Sequence, residues 1–394
     1  MKFANHARKT LLFLAILMAA TAFYAAWNNA LAPDGTKDFQ YSGARLLAHG
    51  INPYEAWHTA RGEFILSQVP NYLPTIYVLL LPLGALPWPV AKMIWLVINS
   101  CLALFVAYRI WRNPALPAGT GVFAALLFLS ATPVRNTIGN GQLGILVMAC
   151  VIAGYSSPRP WLRGAALAVA ASKYSLGGVF IALLAARRAW PALAVAGAVT
   201  LGAYAFLGAV TGTPIGPGLL LAPLETARGG VMLEMPFAGV VRLLGRQGPL
   251  LISGAALAGV FIWAWVRDHA RQPTTATHLA PPGDSAAIPR MVLVASVVTL
   301  AGMPHLIYDY CFLALPLAFG NPFTLLGRTG GALFACVLAW YWNGIKLMPL
   351  LHSQILTDAA AIMATAMLAY VAWDAAAGKR PAATGAGGQA SLSC

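Results

Sequence analysis

The stretch that decides the fold class is residues 162–186, LRGAALAVAASKYSLGGVFIALLAA. It is apolar almost throughout, with Arg163 near its beginning and Lys173 at its centre, and similar runs recur along the chain. A helix that crosses a bilayer needs roughly 20 apolar residues, whereas a transmembrane β-strand shows about ten residues of alternating polarity. We therefore predict an all-α polytopic membrane protein.

The composition of the whole chain agrees with this prediction. Of 394 residues, 59% are hydrophobic and only 9% are charged, whereas a soluble protein carries roughly 25% charged residues. Intrinsic disorder is excluded because it requires few apolar residues. The five cysteines are scattered without CxxC or Cys/His spacing, so the sequence indicates neither a disulfide framework nor a zinc site.

The net charge of +14 does not indicate nucleic-acid binding. The cations stand in short groups beside apolar runs, as at Arg187 and Arg188 or Lys379 and Arg380. This pattern is typical of the cytoplasmic loops of membrane proteins, and the sequence shows no basic face interleaved with aromatic residues. We predict membrane lipids, and no nucleic acid, among the partners.

The order of apolar segments predicts a bundle of ten to twelve transmembrane or re-entrant helices. Residues 11–27 form the first span, which we expect to stay uncleaved, with Lys2, Arg8 and Lys9 ahead of it in the cytoplasm. Working back from the basic loops places the C-terminus in the cytoplasm as well. The protein is thus predicted to be integral to the inner membrane of the cell.

The polar segments divide this single membrane domain. The predicted parts are the domain itself at 1–377, a first outer loop at 28–71, a second outer loop at 211–248, a cytoplasmic linker at 267–289 and a disordered tail at 378–394. The first outer loop contains four of the 11 acidic residues.

Four arginines conflict with the simplest version of this topology. If every apolar run crosses the membrane once, the following side chains all face outside, against the charge bias: Arg109, Arg112, Arg159 and Arg163. Broken or re-entrant helices would restore the bias, because irregular backbone is tolerated where it lines a cavity. The sequence leaves both arrangements open.

The first outer loop contains the candidate catalytic carboxylate. The segment DFQYSGARLLAHGINPYEAW, residues 38–57, predicts a short amphipathic helix on the membrane surface that starts at Asp38 and ends at His49-Gly50. Asp38 is then either the N-cap of this helix or a catalytic base at the membrane boundary. Asp34 stands in Pro33-Asp34-Gly35, which is typical of a turn.

Three cationic residues are candidates for binding a phosphate. Lys173 lies far from either end of its apolar run, where a charge marks a functional site or pairs with a buried carboxylate. His305 precedes Asp309 by four residues, so the two can share a helix face; this could satisfy the histidine or form half of a metal site, but no third ligand is evident. Arg135 either binds anions or snorkels to an interface.

Several short motifs, taken in order, resemble glycosyltransferase family 87 of the GT-C superfamily. The matching residues are Asp38, Gly50, Pro53, Tyr54, Tyr72, Pro74, Gly141, Gln142, Lys173, Arg187, Arg188, Trp190 and His305. One departure is Tyr174-Ser175 after Lys173, where the family pattern has a proline nearby.

The resemblance implies an inverting transfer of a sugar, typically mannose, from a polyprenyl-phosphate donor to a hydroxyl of a glycolipid or glycan acceptor on the outer face of the membrane. Asp38 would be the general base, and the donor phosphate would be bound by His305, Lys173 and Arg135. The sugar and the acceptor would be bound by Gln142, Tyr54, Trp57 and Tyr72. No cofactor and no metal is predicted.

Two other classes of protein stay open at this point. A transporter or channel would also suit Lys173 within a broken helix; against it, no internal repeat relates the two halves and the acidic residues gather in an outer loop. A catalytically inactive scaffold is the other alternative, although the presence of both Asp38 and His305 speaks against it.

Overall fold

The computed structural model describes residues 2–33, 35–36, 39–59, 68–227, 248–269, 287–302 and 307–343. The described residues form helices and contain no strand, which confirms the all-α prediction. Most of the predicted linker at 267–289, the part of the second outer loop at 228–247 and the whole tail at 378–394 lie outside the described residues.

Sixteen helical elements make up the described chain. They are α1 (Lys2–Leu31), α2 (Tyr41–Ala48), α3 (Pro53–Thr59), α4 (Pro74–Gly84), α5 (Trp88–Trp111), α6 (Thr120–Ser130), α7 (Thr132–Gly139), α8 (Gly144–Ser156), α9 (Pro160–Ala171), α10 (Tyr174–Ala186), α11 (Trp190–Thr211), α12 (Pro217–Ala227), α13 (Gly248–His269), α14 (Ala287–Gly302), a 3₁₀ helix (Ile307–Ala318) and α15 (Pro322–Asn343). The short helices α2, α3 and α12 fall in the predicted outer loops.

Four of these helices are long and apolar enough to cross a membrane: His6–Leu31 of α1, α5, α11 and Pro322–Ala339 of α15. A fifth span results if α6 and α7, which are bent by 49°, count as one. The break lies at Ala131, just before Pro133 in the first turn of α7, because a proline ring cannot continue the preceding helix. The chain is a polytopic membrane protein, as predicted.

One end of the bundle gathers arginines from many helices, and we call it the basic end. Arg109, at the end of α5, donates a hydrogen bond to Ser156 Oγ at the end of α8 (2.8 Å). The guanidinium of Arg8 on α1 lies against Gly119 before α6, and that of Arg188 lies 4.6 Å from the ring of Trp265 on α13. We call the opposite end, where α2 and α4 lie, the site end.

Helix α4 explains why the arginines gather there. The apolar run at residues 72–87 forms a helix of 11 residues, which is about 16 Å long and too short for the roughly 30 Å hydrocarbon core. It stays at the site end, where Tyr41 Oη donates to Leu86 O (2.7 Å). Because α4 does not cross the bundle, each later helix runs opposite to the direction it would have if every apolar run crossed once.

This reversal resolves the conflict in the charge pattern. The four arginines that a one-run-one-span topology places outside now lie at the same end as Arg8: Arg109, Arg112, Arg159 and Arg163. This arrangement, in which α4 is the segment that turns back at the site end, agrees with the alternative of broken or re-entrant helices.

Helix α2 differs from the predicted surface helix. It begins at Tyr41, after Gln40 in a left-handed conformation, and ends before His49, so its start lies after Asp38. Most of its side chains are buried, because glycines let α4 approach closely. A Cβ on Gly43 would lie 2.5 Å from the ring of Tyr77, and one on Gly84 would lie 2.5 Å from the Ala44 carbonyl carbon.

Candidate active site

Asp38, Asp34 and His305 lie outside the described residues, but the residues on both sides of Asp38 are held firmly. The backbone N–H of Thr36 donates to Gly139 O (3.2 Å). The ring of Phe39 stacks on Trp95 with centroids 5.2 Å apart. Trp95 Nε1 in turn donates to Gly141 O (2.8 Å). The loop that contains Asp38 is thus attached before and after it to the turn that follows α7.

That turn, residues 139–142, requires a glycine and positions Gln142. Gly141 has a φ of 70°, a left-handed conformation that favours glycine, and a Cβ there would lie 2.6 Å from Thr36 Cγ2. The side-chain amide of Asn99 donates to Thr137 O (3.3 Å) and Gln142 O (3.1 Å). The path of the turn is therefore fixed by two neighbouring elements.

Gln142 itself is a buried polar residue with an unused acceptor. Its side chain is 4% exposed, and its Oε1 has no hydrogen-bond partner within the described part of the chain. A buried acceptor without a donor is unfavourable by about 1–3 kcal/mol. A ligand hydroxyl that donates to this oxygen would recover that free energy.

Lys173 marks a break between two helices, as its position in the apolar run indicates. Helix α9 ends at Ala171 and α10 begins at Tyr174. Ser172 O accepts a hydrogen bond from the N–H of Leu73, just before α4 (2.9 Å). The break therefore brings the start of α4 next to Lys173.

The ammonium of Lys173 is paired with a buried carboxylate. Lys173 Nζ lies 2.6 Å from Asp309 Oδ1, and both side chains are almost fully buried. A Cβ on Gly144, at the start of α8, would lie 3.3 Å from Asp309 Oδ1 and from Cys311 Sγ. The carboxylate thus faces the ammonium and also the N-terminal end of a helix, which favours negative charge.

Of the predicted sugar-binding tyrosines, Tyr72 lies beside this pair and Tyr54 is bonded to Tyr72. The ring centroid of Tyr72 lies 5.7 Å from Lys173 Nζ, within the range of a cation–π interaction. Tyr54 Oη donates to Tyr72 O (2.5 Å). Burial raises the pKa of Tyr54 well above its ordinary value of 10, so the hydroxyl stays protonated and holds Tyr72 in place. Trp57 lies on the same helix as Tyr54 and is half-buried.

Arg135 lies on α7, one turn before Gly139. Its side chain is half-buried and has no hydrogen bond or ion pair with the described residues. The structure therefore brings Tyr54, Tyr72, Gln142 and Lys173 to the site end. It also places on the helix that leads to Gln142 a cation, Arg135, that has no partner among the described residues.

Sequence reasoning missed three residues that organise this region: Trp95, Asn99 and Thr36. Asn99 carried a usable signal, because a polar amide in the middle of the apolar run of α5 is unfavourable in a membrane and indicates a specific role. Asp309 was considered only as a partner of His305. Among the described residues, no three His, Cys, Asp or Glu side chains lie close enough together to hold a metal ion.

Comparisons with known proteins point to one family. The model of glycosyltransferase family 87 matches residues 71–281, just over half of the chain. A stretch of 179 residues is 31% identical to the polyprenol-phosphate-mannose-dependent alpha-(1-2)-phosphatidylinositol pentamannoside mannosyltransferase of Mycobacterium tuberculosis (strain CDC 1551 / Oshkosh). That stretch covers 42% of this chain and only 39% of the relative's length. No solved structure matches the chain significantly.

Proposed function

This chain belongs to glycosyltransferase family 87, and from that premise we propose that it transfers mannose from a polyprenyl-phosphate donor to a hydroxyl of a glycolipid or glycan acceptor. That it is a membrane glycosyltransferase follows from its family and from its apolar helices. The mycobacterial relative is described as polyprenol-phosphate-mannose-dependent, which supports the same class of donor here.

The observation that carries this proposal is the attachment of the Asp38 loop to the turn bearing Gln142. Thr36 is bonded to Gly139, and Phe39 stacks on Trp95, which is bonded to Gly141. Residues 36 and 39, on either side of Asp38, are thus attached to the turn of Gln142, whose side-chain oxygen has no donor among the described residues, and we propose that the Asp38 carboxylate acts beside it. A general base and a sugar-binding group side by side are what an inverting transfer requires.

In the proposed reaction Asp38 takes the proton of the acceptor hydroxyl while that oxygen attacks the anomeric carbon. The bond from this carbon to the phosphate oxygen breaks, and the polyprenyl phosphate leaves with the bonding electrons. Cations stabilise the negative charge that develops on the leaving group. We assign this role to Arg135, His305 and Lys173.

The three cations differ in how readily they can bind the phosphate. Arg135 has no partner within the described chain, so its guanidinium is the readiest of the three to bind the donor. Lys173 is already bonded to Asp309, but an ammonium has three donors, so that one bond does not prevent a contact with phosphate. Asp309 would keep Lys173 charged and oriented at the break between α9 and α10.

The charge distribution supports an active site on the outer face. The basic end is the cytoplasmic end if the positive-inside rule holds for this protein, and the site end then faces the other side. A lipid-linked donor has its reactive carbon at the headgroup plane, where this proposal puts α2, α3 and the start of α5.

The decisive experiment is a transfer assay with the purified full-length chain. We expect it to transfer mannose from polyprenyl-phosphate mannose to a glycolipid acceptor and to be inactive with a nucleotide sugar. Direct transfer from a nucleotide sugar would reject the proposed donor. Saturable uptake of a solute into sealed vesicles, without any transfer, would show the transporter alternative to be correct.

A further inference from the structure

A cavity of about 270 Å³ lies at the basic end, between the end of α5 and the start of α6. Its walls include Trp111, Arg112, Asn113 and Gly119. It is at the opposite end of the bundle from Gln142 and Lys173, and the proposed transfer reaction does not use it. Arg112 is exposed, so its guanidinium can reach a ligand at this cavity.

A second guanidinium reaches the same wall from another helix. The side chain of Arg8, on α1, occupies the space that a Cβ on Gly119 would need. Gly119 also has a φ of 81°, so both its conformation and its neighbour require glycine. Arg112 thus lines the cavity, and the Arg8 guanidinium lies against Gly119, which forms part of the cavity wall.

These two arginines differ from most arginines at this end because they have no partner in the described part of the chain. Arg109 and Arg163 donate to Ser156 and to the carbonyl of Ser157, and Arg188 lies over an indole ring. The acidic residues with described side chains all lie at the site end: Glu55, Glu225 and Asp309. Two like charges beside one cavity repel each other, so an anion bound between them would be stabilised.

The loop that forms the wall of the cavity is held by its own hydrogen bonds. Asn113 donates to Leu317 O (2.7 Å) and Gly320 O (3.1 Å), and its Oδ1 accepts the N–H of Ala115 (3.0 Å). These bonds fix the conformation of the loop. Trp111 is 54% exposed at the end of a membrane-spanning helix, a position where tryptophan typically marks the membrane interface.

We propose that this cavity binds the phosphate of an anionic phospholipid headgroup, with Arg8 and Arg112 as its ligands. Guanidinium groups bind phosphate through paired N–H donors, and basic pockets between membrane helices are suited to anionic headgroups. The lipid attaches α1 to the α5–α6 connection and so stabilises the bundle from the end remote from the active site.

The test measures the thermal unfolding of the full-length protein in neutral detergent while lipid is added. Phosphatidylglycerol is expected to raise the unfolding temperature and phosphatidylcholine to leave it nearly unchanged. Arg112→Gln and Arg8→Gln should each weaken the apparent affinity for phosphatidylglycerol about five- to tenfold, the effect of one arginine at a lipid phosphate. Arg159→Gln is the matched control, because Arg159 is equally exposed at the same end but neither lines the cavity, as Arg112 does, nor lies against Gly119 in its wall, as Arg8 does.

The outcomes separate the possible sources of the anion. If inorganic phosphate alone reproduces the shift, the cavity binds free phosphate and the lipid assignment is wrong. If Arg159→Gln loses as much affinity as Arg112→Gln, or if both lipids act alike, there is no specific site at Arg8 and Arg112. None of these measurements depends on sugar transfer, so they stand apart from the proposed function.

Discussion

Replacing Asp309 by asparagine tests the buried ion pair directly. Lys173 Nζ lies 2.6 Å from Asp309 Oδ1, with the two side chains 4% and 1% exposed. Removing one partner of such a pair leaves a buried charge that neither water nor a counter-ion stabilises, at a cost of about 3–5 kcal/mol. Gly144 and Cys311 pack closely around the carboxylate, so we expect water to stabilise the remaining charge only slightly. The decrease in the free energy of unfolding should therefore lie toward the upper end of this range.

The assay is the thermal unfolding of the purified protein in detergent, followed by tryptophan fluorescence. Asp309→Asn should unfold at a clearly lower temperature than the parent. Glu225→Gln is the matched control, because Glu225 is an exposed carboxylate whose replacement should change the free energy of unfolding by less than about 0.5 kcal/mol.

A double variant, Lys173→Met with Asp309→Leu, tests whether the stability lost in Asp309→Asn is due to the unpaired charge of Lys173. It removes both charges, and replacing a whole buried pair by apolar side chains is often neutral or stabilising. It should therefore be more stable than Asp309→Asn while transferring sugar poorly, because Lys173 is proposed to hold the donor phosphate. Normal stability of Asp309→Asn, or a double variant no more stable than the single one, would refute the reasoning.

Three further predictions follow from the site and the topology. Asp38→Asn should insert normally but lose about 10²- to 10⁴-fold in transfer rate, whereas Asp34→Asn should stay active in the same assay; the reverse result would move the base to Asp34. Gly141→Ala should lower the free energy of unfolding by about 1–3 kcal/mol because of its left-handed φ, while Gly202→Ala, with open space around it, should not lower it. A cysteine introduced at the exposed position of Glu55 should react with an impermeant thiol reagent added outside the cell, and more strongly than the parent chain does. Reaction only after permeabilisation would show that the predicted topology is the wrong way round.

The fold class could be predicted from the sequence because it depends on the length of apolar runs. Residues 162–186 are too long and too continuously apolar for anything but helix, and the polar pair at their centre correctly indicated a break. The direction of the later helices could not be predicted, because it depends on whether α4 crosses. That outcome depends on the packing of α4 against α2 at Gly43 and Gly84. The hydropathy of the sequence does not predict this packing.

The candidate site could be predicted only in part, for a similar reason. Gln142, Tyr72 and Lys173 each belong to a short motif, and the structure brings them to one end of the bundle. The partner of Lys173 is 136 residues away in sequence, and no local spacing connects the two. Asn99 and Trp95 act through backbone carbonyls of the turn after α7, a contact that has no sequence signature.

The distance between Lys173 and Asp309 along the chain also sets an order of events during synthesis. At roughly 5–20 residues per second, the ribosome makes the carboxylate about 7–27 s after the lysine, since 136 residues separate them. During that interval Lys173 lacks its Asp309 partner, and a lone charge within a membrane is unfavourable by about 2.5–3.5 kcal/mol on the insertion scale. We therefore expect the break between α9 and α10 to take its final arrangement only after the 3₁₀ helix has been made.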